Sequence, residues 1–123
     1  MSKNFTVKYK NEILGTIDVN NYTFNPNDRC DRRFLPRQLR QSRATKKDVL
    51  EFLESRIVQR DNQGIRGIVR SLGLDSYNPI SIISKTKGMD LNDCIWVTSN
   101  PSEDYYDVHI RENPDKYVKK IGL

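Results

Sequence analysis

Ten arginines carry the most distinctive chemistry in this sequence: Arg29, Arg32, Arg33, Arg37, Arg40 and Arg43 crowd one short stretch, and Arg56/Arg60 and Arg66/Arg70 follow as two pairs four residues apart. A guanidinium group pairs bidentately with phosphate oxygens and releases counterions from a polyanion, so the set fits a nucleic-acid backbone or an acidic protein surface. The same residues also fit a solvated connection pinned by Phe34 and Leu35, followed by two solvated helix faces. The charge is unevenly placed. Residues 29–70 hold twelve Lys/Arg against five Asp/Glu, whereas the remainder holds nine against eleven, within a net charge of +5.

Other chemistry finds little support. His109 is the sole histidine, and spacing assembles no Ser/His/Asp or Cys/His arrangement around it. Neither a GxGxxG pattern nor a P-loop is present, so the sequence implies no nucleotide cradle and no cofactor. Cys30 and Cys94 lie in no CxxC or Cys/His spacing, which removes the zinc-ribbon and redox-motif readings. Asp90 and Asp93 are three apart, and Asx residues at that spacing shape turns far more often than they hold a divalent ion. The expectation is a protein that is not an enzyme.

The elements that must position these residues follow from periodicity. Phe5, Val7 and Tyr9 alternate with polar residues, and Ile13, Leu14, Ile17 and Val19 continue the pattern around Gly15, predicting a hairpin about Lys10-Asn11-Glu12 with one face buried. A third short strand, Tyr22-Thr23-Phe24, ends at Asn25-Pro26-Asn27. Thr45 and Asp48 form a TxxD variant of the capping box, and Val49, Phe52, Leu53 and Ile57 then draw a core-facing stripe. A second helix is expected from Asp61 or Asn62, carrying Ile65, Ile68, Val69 and Leu72 and closed by Gly73. Gly64 and Gly67 weaken it by roughly 1 kcal/mol each relative to alanine, which points to close packing on a neighbour or to a frayed first turn. On these two helices Arg56/Arg60 and Arg66/Arg70 are expected as exposed ladders. Asn78-Pro79 starts a third, short helix that stops at Gly88.

Cys94-Ile95-Trp96-Val97 reads as a strand by its β-branched and aromatic content. Trp96, the only tryptophan, is either a core anchor or a contact for a protein partner, since tryptophans dominate binding hot spots. A tail opens at Asn100-Pro101-Ser102-Glu103, with a second short turn expected over 115–121. Its Tyr105, Tyr106 and Tyr117 suit base stacking, or rings buried with wet hydroxyls.

At 123 residues the chain is one domain: a meander over 1–27, an arginine-rich connection over 28–44, a helical core and strand over 45–99, and a tail over 100–123. The expected fold class is α+β, an N-terminal antiparallel β-meander followed by two to three short helices, a Trp-bearing strand and a short helical tail. The sequence has no apolar run of about 18 residues and no signal-peptide pattern, so no membrane partner and a cytoplasmic location are expected, with both thiols reduced.

The succession FLESRIVQRDNQGIRGIV, SLGLDSYNPISII and KGMDLNDCIWV resembles the region that precedes the catalytic domain in HipA-like kinases. The matching positions are Phe52, Arg56, Arg60, Leu72, Gly73, Leu74, Gly88, Leu91, Asn92, Asp93, Trp96 and Val97; the pattern departs at Gln59 and Ile95. No counterpart of the kinase itself follows, so no catalytic or ATP-binding residue carries over. The resemblance implies a free-standing, antitoxin-like module that docks on a HipA-type kinase toxin and neutralises it, with Trp96 as first candidate contact. The alternative class is a basic protein that binds DNA or RNA backbone, or a mobile-element-encoded, anti-CRISPR-like inhibitor of a host nucleic-acid-directed defence complex.

Overall fold

The computed structural model describes residues 4–29, 31–40, 44–89, 93–109 and 112. Its centre is a four-stranded antiparallel sheet in the order β3-β2-β1-β4, built from β1 (Asn4–Tyr9), β2 (Glu12–Asp18), β3 (Thr23–Pro26) and β4 (Ile95–Thr98). The expected α+β class holds, and the Trp-bearing strand closes the sheet against β1. The hairpin turns at Lys10-Asn11, with Lys10 in the left-handed region at φ 51°.

A bulge sets which residues face the core. Lys8 pairs with Ile13 but Val7 pairs with Gly15, so Leu14 is an extra residue on β2. Leu14 and Ile17 are three apart and in a regular strand would point to opposite faces. The inserted residue resets the phase, and both end up fully buried while Ile13 is turned outward. Next to the bulge, Gly15 lies beneath β3: a Cβ there would stand 2.6 Å from both the Asn25 carbonyl oxygen and the Phe24 ring. Only a residue without a side chain lets β3 cross. Pro26 ends that strand, where its missing N–H is no loss at a sheet edge.

One face of the sheet carries the main core. Phe5, Val7, Ile95 and Val97 meet Val49, Phe52 and Leu53 of α1 (Lys46–Ser55), Ile83 of α3 (Pro79–Thr86), and Leu35 and Leu39 from two 3₁₀ turns, Arg32–Phe34 and Arg37–Leu39. The capping box at the start of α1 is complete, with Thr45 and Asp48 bonding each other's backbone N–H, and Asn78 caps α3 through Ser81. The apolar stripe of α1 outlasts its helix. Ile57 packs on the core from beyond Ser55.

The opposite face was expected to be wet, and it is not. Residues 100–109, ending in α4 (Tyr105–Val108), fold back over it and bury Cys94, Trp96, Tyr105 and His109. Thus Phe5, Thr6, Val7 and Lys8 are all buried along β1, on both sides of the pleat. The expected turn over 115–121 lies outside the described residues, as does Cys30.

The second helix, α2 (Ile65–Ser71), begins later than its periodicity suggests and buries only Val69. Asn62 spends its side chain on the Gly64 N–H, and turns from Gln59 to Asn62 and from Asn62 to Ile65 occupy the expected first turn. Its end is firmer: Gly73 N–H reaches Arg70 and Leu74 N–H reaches Val69, a Schellman closure.

Two glycines give opposite expectations under denaturant. Gly15→Ala must push β3 aside and should lose about 1–3 kcal/mol. Gly67 has nothing within 4 Å of a Cβ position, so Gly67→Ala should gain roughly 0.5–1 kcal/mol from helix propensity alone. Urea unfolding followed by tryptophan fluorescence measures both, and equal signs would contradict this account of the two sites.

Candidate functional site

The arginines divide into one that is structural and several that face solvent. Arg56 was expected on an exposed ladder with Arg60, but α1 ends at Ser55 and the pair never shares a helix. Arg56 instead turns inward with its side chain 10% exposed, and its guanidinium makes two bonds to the Asp93 carboxylate, at 2.7 and 2.9 Å. Two more reach the carbonyls of Gly88 and Ile95, each at 2.9 Å. Four donors of this fork are spent within the protein, so Arg56 is withdrawn from the phosphate-binding set. Gly88, left-handed at φ 58°, leaves room for it, since a Cβ there would press on Arg56 Cβ at 3.2 Å.

Burial alone would raise the Asp93 carboxyl, but the bonds and charge of Arg56, with the Ile95 N–H, outweigh it and hold Asp93 below the usual range. Asp93 therefore shapes β4's entry and anchors Arg56. Asp90 lies outside the described residues, and no group of three or more His, Cys, Asp or Glu side chains among the described residues is placed to hold a metal ion.

Trp96 is corrected in the same way. Its side chain is fully buried, and Nε1 donates to the Lys10 carbonyl at 2.7 Å, so the reading as an exposed partner contact gives way to the core anchor. The Lys8 ammonium sits 4.9 Å from the ring centroid and donates to the carbonyls of Pro101 and Glu103. Burial pulls the Lys8 pKa down, partly countered by Asp104 and Glu103. Glu103 in turn bonds Lys87 at 2.8 Å and accepts from Thr98. Sequence reading missed this Lys8–Glu103–Lys87 lock. Lys8 stands at a position of β1 that alternation assigns to solvent, and only the returning tail makes it internal.

The remaining arginines are at the surface. Arg29, Arg32, Arg33, Arg37 and Arg40 all lie exposed along the connection, and Arg60, Arg66 and Arg70 are exposed around α2; Arg43 falls outside the described residues. Arg33 is paired with Asp31 at 2.7 Å, and Arg40 bonds the Leu35 carbonyl through Nε and one terminal nitrogen. Arg60 lies 4.8 Å from the Tyr77 ring centroid. Arg29, Arg32, Arg37, Arg66 and Arg70 have no acidic partner among the described residues. Amid the first group Phe34 stacks face to face on Tyr9, centroids 4.3 Å apart and planes within 4°, and remains 37% exposed.

Two grooves flank α2. One, of about 320 Å³, runs between the end of α1, α2 and α3 and is lined by Ile57, Val58, Ile68, Leu72, Ile82 and Met89 among others. The other, of about 360 Å³, is bordered by Arg66, Arg70, Asp75 and Tyr77. No helix among the described residues is long and apolar enough to cross a membrane.

Removing the Arg56 fork should unfold the protein more easily: Arg56→Ala is expected to cost about 3 kcal/mol in urea, because Asp93 and two carbonyls lose their donor. Acid should act in two stages. The His109 pKa is lowered, chiefly by burial and against its contact with the Ile95 carbonyl, so stability is held above the free value of 6.5 and declines as pH falls through it. Asp93 and Glu103, both held low, add a second loss below about pH 4.5. Melting temperature against pH checks this, and His109→Gln should abolish the first stage only. A comparison of this chain with protein-family models, curated proteins and solved structures finds no match in any of the three.

Proposed function

We propose that this chain is a non-catalytic regulatory protein that docks on another protein, antitoxin-like, with a HipA-type kinase as the partner that its sequence resemblance suggests. The observation that supports this reading is where the resembling residues lie. Phe52, Arg56, Gly88, Asp93, Trp96 and Val97 meet inside one domain, as residues that hold a module together. Leu72, another of them, instead lines the groove between the end of α1, α2 and α3. That groove, and not Trp96, is where the partner docks. Ile68 and Leu72 offer it apolar side chains that α2 leaves partly exposed.

A second reading is a basic nucleic-acid-binding protein, or an anti-CRISPR-like inhibitor acting on a nucleic-acid-directed complex. It is supported by Arg29, Arg32 and Arg37, exposed and without acidic partners among the described residues.

Calorimetry with a purified HipA-type kinase encoded beside this chain tests the first reading. The wild-type chain should bind, and Ile68→Asp should weaken binding at least about tenfold with an unchanged melting temperature. Absence of binding by the wild type would falsify the kinase reading.

A further inference from the structure

We propose that the outer face of Phe34 is a stacking platform for a base of single-stranded nucleic acid, with Arg29, Arg32 and Arg37 holding the flanking phosphates. The proposal rests on the nucleic-acid reading above and adds the strand form of the ligand. Its first support is an apolar ring held open to water in a fixed orientation. One face of Phe34 is used by Tyr9, coplanar within 4° at 4.3 Å, and the residue as a whole remains 37% exposed. Tyr9 is itself anchored, paired with Glu12 on one side and Ile95 on the other and packed against both apolar clusters.

The turn that carries Phe34 is equally constrained. Asp31 caps it by accepting the Arg33 N–H at 3.0 Å, the Phe34 N–H reaches the Asp31 carbonyl at 3.0 Å, and Leu35 is buried immediately after. Arg40 closes the segment by donating to the Leu35 carbonyl. A base that adds to this pair extends an existing stack and orders no new side chain on the protein.

Charge decides the class of ligand. Asp31 neutralises Arg33, leaving Arg32 in the same turn, Arg37 in the next and Arg29 just before as cations without an acidic partner among the described residues. Cations beside a flat exposed ring match a phosphodiester strand with unstacked bases. Duplex hides its base faces and can use only the charges. An acidic peptide uses the arginines but has no need of the coplanar ring.

Fluorescence anisotropy at low salt, with a short labelled oligothymidylate and a duplex of equal length, tests this on the full chain. Wild type should prefer the single strand. Phe34→Leu, which keeps apolar cover over Tyr9, should weaken single-strand binding about tenfold and change duplex binding less than about twofold, whereas Phe34→Trp should restore it. Arg32→Ala with Arg37→Ala should weaken both and reduce the salt slope by about two. Equal affinity for both forms, unmoved by Phe34→Leu, overturns the platform but leaves a basic face that binds nucleic acid. No binding to either polymer at low salt overturns that reading as well, and with it the platform. Displacement of the oligonucleotide by polyglutamate as effectively from wild type as from Phe34→Leu overturns the platform in favour of an acidic protein surface.

Discussion

The Arg56 guanidinium joins three separate parts of the chain at one point. It sits just past the end of α1 yet bonds the turn after α3 at Gly88, the carboxylate of Asp93 and the backbone of β4 at Ile95. A planar fork with donors on several edges can serve all three at once, which the point charge of a lysine cannot. Burying that charge is costly unless its donors are satisfied, and here carboxylate and carbonyls satisfy it together. This one side chain ties the entry of β4 to the end of α1 and the turn after α3, and so braces the strand that pairs with β1.

The second constraint is the returning segment 100–109. By covering the sheet it turns β1 into a strand buried on both faces and makes Lys8 an internal cation, stabilised by two carbonyls and the face of Trp96. Glu103 then balances Lys8 and Lys87 together, so the tail is held by charge as well as by the Trp96–Tyr105 contact. A buried tryptophan ring of this kind contributes about 3–5 kcal/mol on truncation, enough to make the tail an integral layer. The protein is layered as helices, sheet and tail.

Much of this was legible locally and little of it at long range. The Thr45–Asp48 box, the Asn78-Pro79 start and the Gly73 and Gly88 stops name themselves, because caps and turns are decided by residues within a few positions. The bulge at Leu14 is visible only as a conflict of phase between Leu14 and Ile17. Arg56 was misassigned because a helix continued for one more turn would have placed it outside, and the stripe through Ile57 gave no sign that α1 stops at Ser55. Trp96 was ambiguous since strand character says nothing about whether its second face is covered. That depends on residues 100–109, whose apolar content of Tyr105 and Val108 is too slight to announce a covering layer. Of the surface, the arginine crowding was readable, whereas the stacking of Phe34 on Tyr9 joins positions that no local pattern connects.

The outer backbone of β4 brings these constraints back to the question of partners. The Val97 N–H is taken by the Lys87 carbonyl, the Ile95 N–H by Asp93, and the Ile95 carbonyl by Arg56 and His109. An edge strand ordinarily offers such groups to any passing strand, inviting another chain to prolong the sheet. Here three of those groups are already taken from within, and at the far side Pro26 withholds a donor. Strand addition at β4 would have to displace these internal bonds first. A partner that reaches β4 meets side chains before it meets open backbone.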